Sequence, residues 1–244
     1  MSQNTIDWKR ECAAVIPCFN EAAGIGEVVA RVRGHLPKVI VMDDGSTDAT
    51  VDRARAAGAE VIRFNKNCGK GLALQAGWRR AHELGFTWML MLDGDGQHSA
   101  DDIPKFFVRA GKNACSLVVG NRMGDCTAMP FLRHTVNRWM SRRISRMTGV
   151  VLPDSQCGFR LAHLETLLNL PIRAHRFEIE SAMLLAFYRA GRSIEFVPVQ
   201  TLYHNTVSKI NPLPDTFRWL RWRFAQGGPA PVRNVQAVPT SARS

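Results

Sequence analysis

Nowhere in the 244 residues do two cysteines share the C-x-x-C spacing of a zinc site or redox motif, although the chain holds six of them. Cys12, Cys18, Cys68, Cys115, Cys126 and Cys157 stand apart, several inside apolar runs. That scatter points to reduced thiols in a cytosolic setting rather than to a disulfide framework. No stretch approaches the roughly 20 apolar residues that cross a bilayer, and the polar Met1–Arg10 lacks the apolar centre of a secretory signal. No G-x-G-x-x-G follows the first apolar run, which argues against a dinucleotide-binding fold. Gly69-Lys70-Gly71 lacks the remainder of a P-loop, which argues against a Walker-type NTPase. There is no internal repeat.

Acidic residues are also scarce, 21 Asp+Glu against 32 Lys+Arg, and the imbalance is local. Residues 1–121 carry 15 basic and 14 acidic side chains, whereas residues 122–226 carry 15 and 7. A nearly neutral first half and a basic second half imply different partners, the second one anionic: phosphate, anionic lipid or nucleic acid. No helix-turn-helix, RNP or zinc pattern accompanies the basic half, so nucleic acid is not expected as a partner.

What the chain does have is two apolar runs that end in carboxylates. Trp88-Met89-Leu90-Met91-Leu92 has no polar break, as expected of a strand buried on both faces of a parallel sheet, and it runs into Asp93-Gly94-Asp95-Gly96-Gln97-His98. Val39-Ile40-Val41-Met42 likewise runs into Asp43-Asp44-Gly45-Ser46-Thr47-Asp48. Ser46 or Asp48 can cap the helix that follows, but Asp43 and Asp44 have no such structural task. In open α/β sheets ligands bind beyond the carboxyl ends of the strands. Carboxylates placed there suit a hard divalent cation carrying phosphate oxygens.

Strand patterns at 13–17, 39–42, 60–64, 87–93 and 116–120 alternate with helix patterns near 24–35, 48–57, 70–84 and 101–111. The alternation predicts an α/β fold with a mostly parallel central sheet flanked by helices. Further on, 131–147 reads as an amphipathic helix, with Leu132, Val136, Trp139, Met140, Ile144 and Met147 on one face and Arg138, Arg142, Arg143 and Arg146 on the other. A helix at 176–190, a strand near 194–199 and an aromatic–arginine segment at 214–224 follow. Residues 1–226 are expected to form one domain, and the Gly/Pro/Ala/Ser-rich 227–244 a disordered tail.

Eight motifs stand in order: Ile16-Pro17-Cys18-Phe19-Asn20-Glu21, Asp43 to Asp48, Asn67-Cys68-Gly69-Lys70-Gly71, Asp93 to His98, Gly120-Asn121-Arg122, Asp154-Ser155-Gln156-Cys157-Gly158-Phe159-Arg160, Arg176-Phe177-Glu178-Ile179-Glu180 and Ser208-Lys209-Ile210. In this set the chain resembles family 2 glycosyltransferases, specifically the dolichyl-phosphate mannose synthase-like branch. The resemblance implies a single GT-A type domain, with 1–121 as its nucleotide-sugar-binding half and 122–226 as its acceptor- and membrane-facing half. It implies a divalent metal, Mg²⁺ or Mn²⁺, and inversion at the sugar carbon. By resemblance Pro17, Phe19, Glu21 and Asp44 hold the base and ribose of a GDP- or UDP-hexose. Asp93, beside Gly94, touches ribose or sugar, Asp95 and Gln97 ligate the metal, and Arg122 and Lys209 bind phosphate. Where those synthases commonly carry an Arg upstream of the C-terminal Lys, this chain has Tyr203-His204, closer to bacterial relatives, which leaves sugar and base open.

The chemistry follows on its own terms. Cleaving a sugar–diphosphate bond leaves charge on the diphosphate, which a metal and Lys or Arg neutralise. A polyprenyl phosphate acceptor is already anionic near neutral pH and needs no general base. A hydroxyl acceptor, on a glycan or lipid, needs one, and Asp154 is then the candidate. Lys70 is either a donor contact or a solvated first-turn residue, and Gly69-Lys70-Gly71 could cradle phosphate through backbone N–H groups. His98 either supports the metal site or orients its loop. One of Glu178 and Glu180 faces the acceptor, and Cys157 fills a small volume in the packing. The basic helix and the 214–224 segment resemble interfacial elements, so the expectation is a cytoplasmic enzyme held peripherally at the inner membrane face. Alternatively, both pack on the domain.

Overall fold

The computed structural model describes residues 6–113, 115–124, 129, 131–172, 174–202 and 219–224. In chain order the elements are α1 (Trp8–Glu11), β1 (Cys12–Cys18), α2 (Ile25–Arg33), β2 (Val39–Asp43), α3 (Thr50–Ala56), β3 (Glu60–Arg63), α4 (Lys70–Glu83) and β4 (Trp88–Met91). A 3₁₀ turn (Ala100–Asp102) then leads into α5 (Ile103–Asn113), β5 (Leu117–Asn121), α6 (Phe131–Thr148), β6 (Arg160–His163), α7 (Leu164–Leu168), α8 (Ile179–Arg189) and β7 (Ile194–Pro198). Residues 219–224 are helical.

The seven strands form one sheet in the order β3-β2-β1-β4-β6-β5-β7. Every pairing is parallel except those of β6, which runs antiparallel to β4 and β5. The apolar runs of β1, β2 and β4 are buried along their whole length, as strands covered on both faces must be. The first half matches the pattern read from sequence, with strand β4 shorter than expected. Its ladder ends at Met91, opposite Val15 and Arg160, so Asp93 lies past the pairing in a turn rather than in the strand.

Strand β6 was not expected. It is short, opens on an arginine, and fills the place between β4 and β5 that a purely parallel alternation leaves to neighbouring strands. Its antiparallel direction has a functional consequence: β6 starts, rather than ends, at the edge where β1, β2, β4 and β5 finish. The preceding loop, Asp154–Phe159, therefore joins the loops of those strands.

The apolar face of α6 is turned inward. Met140, Ile144 and Met147 pack with Leu152, Leu185 and Trp219 in a second core beside the sheet. Leu132 was expected on that face but is 63% exposed. Each i→i+4 step advances about 40° around a helix, so three steps carry it about 120° from Ile144. The reading of this face as an interfacial surface is thereby corrected, because it packs on the domain. Of the 214–224 segment, Trp219, Leu220 and Trp222 pack here too, with the Trp139 and Trp219 rings 5.5 Å apart, while Phe224 is exposed. The arginines Arg138, Arg142, Arg143 and Arg146 stay exposed, as expected.

Candidate active site

Two loops at the β1 and β2 ends are laced together by their own polar groups. The Asn20 N–H donates to Ser46 Oγ at 2.8 Å, the Thr47 N–H to Asn20 Oδ1 at 2.8 Å, and the Glu21 N–H to Thr50 Oγ1 at 2.8 Å. Asn20 adopts a left-handed φ of 53° to make this turn, which Asn tolerates better than most residues. Phe19 is left 37% exposed beside Pro17 at the end of β1. Asp44 is buried and accepts two backbone N–H groups, from Cys68 at 2.6 Å and Gly69 at 2.8 Å. It therefore fixes the 67–69 loop against β2. Asp43 accepts from the Ser46 N–H and lies 3.4 Å from Arg63 Nε, while its buried Oδ1 has no hydrogen-bond partner.

In the Gly69-Lys70-Gly71 turn the Gly69 and Gly71 N–H groups are already taken, the first by Asp44. Those of Gly71 and Leu72 donate to the carbonyl of His175, at 2.9 and 3.3 Å. A Cβ on Gly71 would sit 2.6 Å from the Ala174 carbonyl oxygen, so only glycine admits this packing. The phosphate-cradle expectation is corrected: a backbone carbonyl from the far end of the chain caps α4. Nor is Lys70 solvated. Its Nζ lies 2.5 Å from Asp93 Oδ1 and 2.6 Å from Glu180 Oε1. Burial pulls the Lys70 pKa down, but the two carboxylates more than reverse this and hold the ammonium charged. Burial likewise pushes the Asp93 carboxyl up, and Lys70, then His98, outweigh it, leaving Asp93 well below the usual carboxylate range.

Asp93 is thus the hub of the β4 loop. His98 Nε2 is 3.5 Å from its other oxygen, and the His98 ring packs on Phe159. Gly158 lies so close that a Cβ there would fall 2.7 Å from Asp93 Oδ2. Asp95 keeps a half-buried carboxylate, with Oδ1 accepting from the Gln97 N–H at 3.0 Å. The Gln97 amide oxygen accepts from Arg133 Nη1 of α6 at 2.9 Å. Gly94, between the aspartates, packs where a Cβ would meet Cys18 Sγ at 2.5 Å.

Arg122 and Asp154 form a closed pair. Arg122 Nε donates to Oδ2 at 2.8 Å and Nη2 to Oδ1 at 3.0 Å, with the N–H groups of Arg122 and Gln156 adding two more hydrogen bonds. Asp154 is inaccessible to solvent. Burial raises its pKa, and Arg122 lowers it by more. A base must reach the proton it takes; here the Asp154 carboxylate serves as counter-ion to Arg122, so the hydroxyl-acceptor reading in which it is the base requires this pair to open. Cys157 beside it is buried, its thiol pushed up to about 12 by burial, and is the packing residue expected. Glu178 accepts the N–H groups of His175 and Arg176 and shapes that turn, leaving Glu180 as the one that faces the site. Lys209 and Tyr203-His204 lie outside the described residues.

The sequence reading did not single out Arg133 or Arg160. Arg160 is a buried cation whose Nε, Nη1 and Nη2 donate to the carbonyls of Cys157, Glu180 and Ser155. It staples the loop that packs on Asp93 to the helix turn that holds Lys70. Its position in the Asp154–Arg160 motif was the only signal available.

Strand-end carboxylates, a largely buried lysine and a buried arginine thus gather at one edge of the sheet, and all of them lie within residues 13–168, which match the family model named Glycosyl transferase family 2. The chain belongs to glycosyltransferase family 2. This family 2 enzyme is 29% identical over 212 residues to the UDP-N-acetylglucosamine–dolichyl-phosphate N-acetylglucosaminyltransferase of Methanococcus voltae, covering 78% of this chain and 84% of that protein. It is 29% identical over 201 residues to the undecaprenyl-phosphate mannosyltransferase of Micrococcus luteus, covering 76% and 81%. Its fold matches the glucosyl-3-phosphoglycerate synthase of Mycobacterium tuberculosis, solved in complex with Mn²⁺, UDP and phosphoglyceric acid. That match has a TM-score of 0.69 at 23% identity, over 88% of this chain and 76% of the other. The GT-A fold expectation is borne out, and so is the glycosyltransferase class.

Proposed function

We propose that this glycosyltransferase moves a hexose from a nucleotide-diphosphate sugar to a polyprenyl phosphate, with inversion, at a membrane surface. The observation that carries the acceptor is the state of Asp154. The carboxylate that a hydroxyl acceptor would need is fully engaged by Arg122. A phosphate monoester, with a second pKa of about 6, arrives already able to attack. The names of the Methanococcus and Micrococcus relatives, which act on dolichyl and undecaprenyl phosphate, favour the same acceptor. No helix among the described residues is long and apolar enough to cross a membrane.

The donor lies across the β1, β2 and β4 ends. Phe19 offers an exposed ring to the base, with Pro17, Glu21 and Asp44 shaping the pocket around it. Asp93, kept ionised by Lys70, accepts hydroxyls of ribose or sugar. Asp95 and Gln97 fit a Mg²⁺ or Mn²⁺ ion, because both present hard oxygen donors. No group of three or more His, Cys, Asp or Glu converges on one point among the described residues, so Asp95 and Gln97 are the side chains that would hold the ion. An ion held there would supply positive charge to the departing diphosphate. Arg133, now on the Gln97 oxygen, must yield for that ligand to engage. Arg122 and Lys209 supply cationic charge for the phosphates.

The test is transfer itself: purified protein with UDP- and GDP-hexoses, Mg²⁺ or Mn²⁺, and polyprenyl phosphate in detergent, with Asp95→Ala as control. A sugar–phosphate lipid formed only with metal and intact Asp95 supports the reading and names the base. Donor binding without transfer to any lipid phosphate overturns it and redirects the search to hydroxyl acceptors.

A further inference from the structure

With the apolar face of α6 committed to the second core, its polar face is left to explain. The 18 residues of α6 include five arginines and neither Asp nor Glu. Arg138, Arg142 and Arg146 fall at i, i+4 and i+8, so they form one exposed stripe along the helix. No ion pair engages these three among the described residues. They line a groove of about 440 Å³ with Ser141, Ser145 and the segment Val151-Leu152-Pro153. On its rim Val151 is 84% exposed, the most exposed large apolar residue described. The face therefore presents a row of positive charge with no acidic partner among the described residues, suited to an anionic surface.

We infer that this face, the Arg138–Arg142–Arg146 stripe with Val151, is where the enzyme docks on an anionic lipid bilayer. The inference rests on the lipid-phosphate reading above and names the surface that brings the site to its acceptor. Charge complementarity supplies the attraction, since each basic residue at an anionic leaflet contributes. Arginine stems lie along apolar surface while their heads stay in the headgroup layer. Val151 gains from the acyl boundary, whereas beside a nucleic-acid backbone it gains nothing, which favours lipid over a polynucleotide. The geometry suits the reaction. The segment carrying Val151 runs straight into Asp154, the partner of Arg122, and Ser141 in the groove donates to Ser155 Oγ at 3.1 Å. The docking face therefore abuts the candidate phosphate-binding arginine. The membrane surface of α6 is its arginine side, not the apolar side a helical-wheel reading selects.

The test is co-sedimentation of the full chain with vesicles of pure phosphatidylcholine and of equal parts phosphatidylcholine and phosphatidylglycerol. Binding is expected only to the anionic vesicles and should weaken as salt rises. The triple variant Arg138→Gln/Arg142→Gln/Arg146→Gln should lose on the order of 100-fold in affinity, and Val151→Ser a smaller part. Thermal melting confirms that these surface variants are folded. Equal binding to neutral vesicles, undiminished binding of the folded triple variant, or equally tight binding to a duplex oligonucleotide overturns the inference. Transfer to a short, water-soluble polyprenyl phosphate without vesicles separates the two readings. The triple variant should match the wild type there if only docking was removed. A wild type that binds anionic vesicles through the stripe but transfers to no lipid phosphate leaves the docking face standing and removes the acceptor.

Discussion

Arg122 and Asp154 grip one another through two parallel hydrogen bonds, Nε to Oδ2 at 2.8 Å and Nη2 to Oδ1 at 3.0 Å, where solvent does not reach the carboxylate. Such a fork is held more firmly than a single charge-assisted bond. Removing one partner leaves the other charge buried and uncompensated. Asp154→Asn should therefore destabilise the fold by about 3–5 kcal/mol, read from urea unfolding. The pH dependence distinguishes this from a catalytic effect. Arg122 holds the native Asp154 pKa below its ordinary value despite burial. Its stabilising contribution is complete above about pH 4 and is lost as pH falls through the native value. The stability gap between wild type and Asp154→Asn should accordingly narrow below about pH 4.

Lys70 stands between two carboxylates, Asp93 and Glu180, at short range, and it holds Asp93 well below the usual carboxylate range. Without the ammonium the two carboxylates lose their shared counter-ion, and Asp93 loses the cation that holds it in place. Lys70→Met should lower kcat/KM for the donor by roughly 100-fold, the loss of about 3 kcal/mol of charged hydrogen bonding. Glu180→Gln keeps the Lys70–Asp93 contact and should cost roughly tenfold. Steady-state kinetics with varied nucleotide sugar measure both. Equal effects would show that Glu180 touches substrate directly instead of acting through Lys70.

Arg133 donates to the Gln97 amide oxygen at 2.9 Å, the atom proposed to ligate the metal. Arg133→Ala removes a competitor worth about 1 kcal/mol, so Mn²⁺ should bind about fivefold more tightly without donor. Titration calorimetry of the two proteins with Mn²⁺ alone reads this. Unchanged affinity would place the metal away from Gln97.

The parts of this architecture visible in the sequence were those written in contiguous runs. Strands β1, β2 and β4 announce themselves because burial on both faces leaves their runs apolar, broken only by Asp43 at the end of β2. Asp44, Asp93 and Asp95 follow because they interrupt such runs at the end where α/β sheets bind ligands. What stayed hidden depends on contacts between distant segments. Lys70 meets Glu180 across 110 residues of chain, and His175 caps α4 from a loop whose sequence carries no capping signature. Strand β6 is short and antiparallel, and its opening residue Arg160 is buried against local chemistry that favours the surface. The direction of the α6 apolar face could be read, but what it faces is settled only by Leu185 and Trp219 arriving from elsewhere.

Gly158 offers a way to move Asp93 without touching its charge. No left-handed φ marks this glycine, so alanine is allowed by the backbone. The added Cβ would fall 2.7 and 2.9 Å from the two Asp93 oxygens. Overpacking of this kind typically costs about 1–3 kcal/mol, and here the side chain that must give way is the hub between Lys70 and His98. Gly158→Ala should therefore lose up to roughly 100-fold in kcat/KM, since displacing a positioned group by about 1 Å has that effect, while the protein stays folded. The matching control is Gly111→Ala on the exposed side of α5, where a Cβ meets nothing within 4 Å. There the helix should gain about 0.5–1 kcal/mol with unchanged activity. Parallel melting curves and donor kinetics on both variants separate a displaced Asp93 from general damage. If Gly158→Ala retains full kcat/KM, Asp93 does not need the position it holds against that loop, and its part in donor binding falls.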